Sequence, residues 1–289
     1  MQQTWFITGS SRGFGRALAR TALEAGDLVA ATARRPEQLD SLAEQFGDRI
    51  APIRLDVTDP AAARSALAEA KERFGRVDVL VNNAGYANVS PIETTEEEDF
   101  RTQFETNVWG VYNVTKAALP ILREQKSGLV MQFSSIGGRV GGSPGIASYQ
   151  AAKFAIDGFS RVLRAETAPF GVKVLVVEPS GFRTDWAGAS MTVHEVPPEY
   201  ADTVGLMNTR MRQSTEGPAG DPERAAEILV AVAKRADIPD HLPLGVNAAE
   251  MAIGLDRRLL EDDLKWREVS RSADFAEPYP AAFPPDSAQ

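Results

Sequence analysis

Thr4-Trp5-Phe6-Ile7-Thr8-Gly9-Ser10-Ser11-Arg12-Gly13-Phe14-Gly15-Arg16-Ala17-Leu18-Ala19-Arg20 lies near the start of the chain and decides its architecture. A short run of strand-forming side chains enters a turn with three glycines, and the turn leads directly into a good helix former. Glycines there permit a tight turn and a close backbone approach to a pyrophosphate, which the free N–H groups of the following helix then stabilise. A second apolar run, Leu28 to Ala33, completes a strand–turn–helix–strand unit of the kind that binds a dinucleotide.

Outward from this unit the same alternation continues to about residue 246. Strands are predicted at Trp5 to Thr8, Leu28 to Ala33, Ile50 to Leu55, Val77 to Val81, Gly128 to Phe133 and Val172 to Val177, with a short seventh near Leu242 to Val246. Each is short and nearly all apolar, as strands buried on both faces are. Asp59-Pro60 and Asp221-Pro222 each read as a helix start, with Asp as cap and Pro in the first turn, and 248 to 271 reads as a charged amphipathic helix. The predicted class is α/β: a Rossmann-type doubly wound parallel sheet of about seven strands with helices on both faces. Residues 1–275 are read as one domain, with 185–220, rich in Gly, Pro and Met, as a substrate-binding loop or lid. Residues 276–289 are read as an extended or disordered tail, or one packed on a neighbouring subunit.

Composition narrows the function. With 289 residues, 43% hydrophobic and 25% charged, the chain can bury one full-sized core. A net charge of −9 with scattered basic residues argues against nucleic acid as a partner. The absence of cysteine removes disulfides and thiolate metal sites. No apolar stretch approaches membrane-spanning length, and a strand beginning at Thr4 leaves no room for a signal peptide, so the expected location is cytoplasmic. The two histidines, His194 and His241, do not form a zinc motif, and no metal site is expected. Gly142-Ser143-Pro144-Gly145 reads as a turn rather than a hydrolase elbow.

The glycine spacing Thr8-Gly9-x-x-x-Gly13-x-Gly15 is wider than the usual dinucleotide fingerprint, and four further motifs follow in order. Asn82-Asn83-Ala84-Gly85 ends the fourth strand, Asn107 lies in an Asn-Val-x-Gly context, Ser134-Ser135 ends the fifth strand, and Tyr149 is followed by Lys153. Together they resemble the short-chain dehydrogenase/reductase family, in particular its hydroxysteroid dehydrogenase-like and ketoreductase-like members. The likeness rests on motifs over residues 4 to 184 and on architecture beyond them. It implies an oxidoreductase that interconverts a small-molecule ketone or aldehyde with an alcohol by hydride transfer. It also implies a homodimer or homotetramer formed through the long helices containing Asn107 and Tyr149.

Tyr-x-x-x-Lys occurs twice, at Tyr112/Lys116 and Tyr149/Lys153, each at helical spacing. Only Tyr149 follows a strand-end serine across a glycine-rich loop, so Tyr112, in line with Val108, Thr115 and Leu119, is read as a packing residue. Hydride transfer to a carbonyl carbon needs an acid for the oxygen, and a free tyrosine with a pKa near 10 is a poor one. The ammonium of Lys153 and the positive charge of an oxidised nicotinamide are expected to lower that pKa. The resemblance implies that Lys153 also holds the nicotinamide ribose, Ser135 donates to the substrate oxygen, and Asn107 positions a water in a proton relay. Ser135 stands one residue further from Tyr149 than is usual in the family, which keeps Ser134 as its substitute.

At the end of the second strand stand Arg34 and Arg35 with no acid until Glu37. Arg34 with Arg12 can clamp a 2′-phosphate, so NADP(H) is expected over NAD(H). The expected cofactor contacts are Gly9, Ser11, Arg12, Gly13, Phe14 and Gly15 in the turn, Arg34, Asp56 and Val57, then Asn83, Ala84 and Gly85, with Tyr149 and Lys153. Pro179, Gly181 and Thr184 resemble the family's segment around the nicotinamide, although Ser180 replaces its usual glycine. Trp186, Met191, Val193, Tyr200, Leu206, Met207 and Met211 suggest a flexible lid over an apolar substrate, a bulky ketone or secondary alcohol. The alternative reading is a non-catalytic NADP(H)-binding redox sensor, which in such relatives loses the tyrosine or lysine kept here. An epimerase or dehydratase would need a larger C-terminal substrate domain.

Overall fold

The structure is a computed structural model and describes residues 2–184, 191–213 and 219–285. Its elements are β1 (Thr4–Ile7), α1 (Gly13–Glu24), β2 (Leu28–Ala33), α2 (Asp40–Phe46), β3 (Ile50–Arg54), α3 (Pro60–Phe74), β4 (Val79–Asn82), β5 (Ala87–Val89), α4 (Glu97–Phe104), α5 (Gly110–Gln125), β6 (Gly128–Phe133), α6 (Gly137–Val140), α7 (Ala147–Thr167), β7 (Val172–Pro179), β8 (Met191–Val193), α8 (Leu206–Gln213), α9 (Pro222–Ala233), β9 (His241–Leu244) and α10 (Val246–Arg271). Seven strands form one parallel sheet in the order β3-β2-β1-β4-β6-β7-β9. This is the doubly wound α/β fold. Its order reverses between β1 and β4, which opens a crevice at their C-terminal ends.

The period-two alternation of buried strands divides the core. Trp5 and Ile7 join Leu18, Leu23 and Leu229 on the face covered by α1 and α9, whereas Phe6 joins Leu67, Val114 and Leu163 beneath α3, α5 and α7. Asp59 caps α3, its carboxylate accepting from the N–H groups of Ala61 (2.7 Å) and Ala62 (3.1 Å). Asp59→Ala is expected to cost about 1 kcal/mol of stability, readable as a lower urea midpoint with unchanged slope.

The predicted edges differ from the structure where side chains intervene. Val77 does not begin β4, because its N–H donates to the Gln125 side chain (3.1 Å). Val246 starts α10 rather than ending β9: Gly245, at φ 94°, turns the chain out of the sheet. Residues 201–213, read as part of an irregular stretch, form a π-helical turn (Ala201–Gly205) leading into α8. β5 and β8 pair in parallel as a separate two-stranded sheet. In the tail, Arg271 pairs with Glu277 (2.6 Å) and the Phe283 ring meets Trp266 edge-on, so its described part folds back on α10. Among the described residues no helix is long and apolar enough to cross a membrane.

Candidate active site

The crevice is built by two strand ends tied to each other. Thr8, at the end of β1, accepts the N–H groups of Asn83 (2.9 Å) and Ala84 (3.0 Å) on its hydroxyl, and Asn83 returns its amide to the carbonyls of Thr8 (2.9 Å) and Gly9 (3.2 Å). Asn83, expected as a cofactor contact, therefore spends its side chain on shaping the glycine turn. A Cβ on Gly15 would stand 2.3 Å from the Gly9 carbonyl oxygen and 2.6 Å from that amide, so glycine is required for the turn to close.

The turn fits a pyrophosphate. The N-cap residue of α1, Arg12, makes no side-chain cap, and the first turn carries no acid, which leaves N–H groups and a positive helix end facing the crevice. Ser11 and Gly13 are half-buried beside it. Phe14 turns inward, its ring 5.5 Å from Phe133 and 4.8 Å from Phe182. Thr184 lies against the same turn, its Cβ 3.5 Å from where a Cβ of Gly13 would be. Pro179 ends β7, and Ser180 in the family's glycine position donates its hydroxyl to the Leu244 carbonyl (3.3 Å), joining this segment to β9. Gly181 and Arg183 exchange backbone hydrogen bonds with Gly220.

Arg12 and Arg34 are both exposed, and neither forms a salt bridge among the described residues. Arg34 lies near Tyr86, whose phenol burial and Asp99 push up while the Arg34 charge acts in the opposite direction. Asp56 is exposed and uses one carboxylate oxygen on the Thr58 N–H and hydroxyl (3.0 and 2.8 Å). Val57 packs beneath Gly110, and Asn113 holds its carbonyl (3.1 Å).

Beside the turn, the sheet and α7 bring four polar side chains together. The Ser135 hydroxyl accepts from the Gly137 N–H (3.1 Å) and hydrogen-bonds the Tyr149 phenol. Ser134 is buried and donates to the Lys153 carbonyl (3.2 Å), so Ser135 and not Ser134 faces the phenol. Lys153, one helical turn beyond Tyr149, donates to the Phe133 carbonyl (2.6 Å), with its nitrogen 5.6 Å from the centre of the Tyr149 ring. Asn107 is fully buried in a π-helical turn, Glu105–Trp109, between α4 and α5, a helical irregularity that recurs at functional sites. Its amide closes a reciprocal pair with the Tyr86 backbone, accepting at 3.1 Å and donating at 2.8 Å. A Cβ at Gly85 would meet the Asn107 oxygen at 2.6 Å and the Lys153 nitrogen at 3.7 Å, which places the Asn-Asn-Ala-Gly turn against both.

The electrostatics depart from expectation. Burial pushes the Tyr149 phenol up to about 12, opposed by its hydrogen bond to Ser135. Burial also pushes the Lys153 ammonium down to about 8. Burial therefore sets the direction for Tyr149, while Lys153, itself weakened by burial, does not reverse it. Tyr112 hydrogen-bonds Lys116 (3.1 Å) and packs edge-on against Trp109 and Phe159, as a packing residue should.

The order of strands, the glycine turn and this grouping of Ser135, Tyr149 and Lys153 have a counterpart among known proteins, since residues 3–193 match the short chain dehydrogenase family. The chain belongs to the short-chain dehydrogenase family. Among relatives of this dehydrogenase, "Oxidoreductase BOA17" of Botryotinia fuckeliana is 48% identical over 271 residues, 93% of this chain and 98% of its own. A short-chain dehydrogenase from Streptomyces avermitilis, known from its crystal structure, is 41% identical and superposes with a TM-score of 0.86 over 94% of this chain and 98% of its own. The closed form of a serine dehydrogenase complexed with NADP+ is 28% identical, with a TM-score of 0.73 over 84% of this chain and 94% of its own.

Residue spacing gave no sign of the site's outer wall. Asn88 in β5 joins three elements: its N–H donates to Gln103 (3.2 Å), its amide to Asp99 (2.5 Å), and its oxygen accepts from Thr192 in β8 (3.2 Å). Gln103 continues to the Ser148 hydroxyl (2.5 Å), the residue before Tyr149. Ala87, Val89, Ile146, Tyr149 and Val204 form an apolar cluster flanked by Met191, Val193, Val196 and Tyr200. Met191, Val193 and Tyr200 of the expected lid thus lie by Tyr149, whereas Trp186 and the side chain of Met211 fall outside the described residues. A second unforeseen group lies beneath α7, where Asp157, Glu178 and His241 each place a ligand-type atom within 4.8 Å of the others. The two carboxylates are met within the protein, Glu178 by Arg139 (3.1 Å) and Asp157 by Arg161 (2.9 Å), and the His241 ring hydrogen-bonds Asp157 (2.5 Å).

Proposed function

We propose that this dehydrogenase interconverts a ketone or aldehyde with the corresponding alcohol, using NADP(H) and with Tyr149 as the general acid and base. The observation that carries the reading is the hydrogen bond between Ser135 and the buried Tyr149 phenol, with Lys153 one turn away, at the C-terminal end of the sheet. The bound cofactor supplies or accepts the hydride. In reduction, the Ser135 hydroxyl and the Tyr149 phenol bind the carbonyl oxygen, and Tyr149 releases its proton to that oxygen as charge develops there. In oxidation, the Tyr149 phenolate takes the alcohol proton. Lys153 holds the ribose side of the cofactor and stabilises the phenolate, while Asn107 holds the Tyr86 backbone that forms the neighbouring wall and lies on the proton path.

The cofactor is held by Gly9, Ser11, Arg12, Gly13, Phe14 and Gly15 at its pyrophosphate, by Asp56, Val57, Ala84 and Gly85 along its adenosine half, and by Pro179, Gly181 and Thr184 at its nicotinamide. The two exposed guanidinium groups, Arg12 and Arg34, support a phosphorylated ribose, as does the NADP+ of the related serine dehydrogenase. NADPH is expected to give a kcat/KM at least tenfold above NADH, and Arg34→Ser to erase most of that difference, since it removes one charge-assisted contact. A clear preference of the wild type for NADH would overturn the assignment. The substrate reading, an apolar ketone or secondary alcohol covered by residues 185–220, is supported by the cluster of Val89, Ile146 and Val204 at Tyr149. A screen of diverse ketones and aldehydes with both reduced cofactors tests the whole proposal, and complete inactivity with binding retained would favour a sensor. Exposed Trp109, Phe154 and Val162 support self-association through α5 and α7, which sedimentation of the wild type and Trp109→Glu tests.

A further inference from the structure

Gln150, the residue after the proposed acid, is 7% exposed and has no part in the chemistry described above. Its side-chain oxygen accepts the Ser143 N–H (3.2 Å), which fixes the orientation of the amide: a flip would set two donors against each other. The nitrogen end, Nε2, is buried and has no hydrogen-bond partner among the described residues. Leaving a buried donor unmet forfeits its hydration without return, so a partner in the working state is the economical explanation. Gly137 indicates where that partner stands. The position that a Cβ on Gly137 would occupy is 3.1 Å from Nε2 of Gln150 and 3.5 Å from Oγ of Ser135. The missing side chain thus leaves a gap bordered on one side by an unspent donor and on the other by the serine hydroxyl.

We propose that Gln150 is a positioning residue for Ser135, its amide donating to the serine oxygen as the gap at Gly137 closes on substrate. This inference rests on the catalytic reading of Ser135 and Tyr149 given above. A serine hydroxyl has two acceptor lone pairs and one proton. The Gly137 N–H occupies one lone pair and Gln150 would occupy the other. The remaining proton is then directed to the Tyr149 and substrate side, where a mobile hydroxyl would share its time among several acceptors. Gln150 itself touches neither substrate nor cofactor.

The test uses Gln150→Glu in the full-length enzyme, with wild type and Gln150→Leu alongside. A protonated glutamic acid reproduces the amide, with one acceptor for Ser143 and one O–H donor toward Ser135. Its ionised form keeps the acceptor and loses the donor. Burial raises the pKa of such a carboxyl, which brings the change into an accessible pH range. The expected result is a Gln150→Glu enzyme near wild-type kcat at low pH that loses about tenfold or more as pH rises, over a range where wild-type kcat is flat, with NADPH affinity unchanged. Gln150→Leu is expected to be slow at every pH. If Gln150 only braces the Ser143 loop, Gln150→Glu, which keeps that acceptor, will follow the wild-type profile throughout, and that result overturns the proposal. A Gly137→Ala variant, which puts a methyl group into the gap, gives an independent check: kcat as high as wild type would also overturn it. Wild-type turnover is measured first in the same assay, and its absence would instead remove the oxidoreductase reading and this inference with it.

Discussion

Tyr149→Phe is expected to lower kcat by about a thousand-fold while leaving NADPH affinity within about twofold, because general acid–base catalysis contributes roughly a hundred- to ten-thousand-fold and the hydroxyl is its only source here. The ring is 8% exposed and the phenylalanine keeps its packing, so folding is unaffected. Tyr112→Phe is the matched control, since Tyr112 hydrogen-bonds Lys116 on its own helix, and its activity should equal that of wild type. Stopped-flow or steady-state NADPH oxidation reads both, and an active Tyr149→Phe enzyme would sink the assignment. The direction of the pH dependence follows from burial. Tyr149, pushed up to about 12, stays protonated through neutral pH and is ready to act as an acid, so reduction should be flat below the Lys153 transition at about 8. Oxidation needs the phenolate, so kcat/KM for the alcohol should climb with pH.

The second large effect is expected at Gly15. In Gly15→Ala the added carbon would lie 2.3 Å from a backbone oxygen and 2.9 Å from its carbon, and neither can move without opening the turn. Overpacking of this kind costs about 1–3 kcal/mol, here a fall of roughly 2–5 °C in Tm. The larger consequence is on binding, because the same displacement moves the N–H groups proposed to hold the pyrophosphate, and NADPH affinity should fall by about a hundred-fold. Gly254→Ala, on the exposed face of α10 with nothing within 4 Å, should instead be neutral or stabilise by about 0.5–1 kcal/mol. Thermal melts with and without NADPH separate the two effects. A Gly15→Ala protein that binds NADPH normally would refute the role given to this turn.

Much of the frame was legible because its signals are local. Apolar runs such as Leu28 to Ala33 and Gly128 to Phe133 match β2 and β6 to the residue, and Asp59-Pro60 and Asp221-Pro222 start helices where capping chemistry requires. Ser135, Tyr149 and Lys153 were likewise readable as a pattern. What depended on distant partners was not. The strands β5 and β8 have three residues each, too few for a period to register, and pair only because the chain returns after a long excursion. Asn88, Gln103 and Ser148 look like ordinary polar residues until folding joins them. The upward displacement of Tyr149 is a property of burial, which a charge pattern along the chain cannot convey. Gln150 was passed over for the same reason, as its significance lies in a bond it does not make.

The pairing of β5 with β8 has a kinetic consequence. Asn88 and Thr192 are joined across 104 positions by a ladder of three residues a side, and such a closure loses more chain entropy than its few bonds return until the main sheet is already formed. The outer wall of the site is therefore expected to assemble after the main sheet and to open before it. In hydrogen–deuterium exchange the amides of Thr192 and His194 should exchange far sooner than those of β1 or β4, and substrate should slow them. On that expectation the rim beside Tyr149 would open as a local unit carried by a rigid sheet, leaving undisturbed the strands that hold the proposed catalytic side chains.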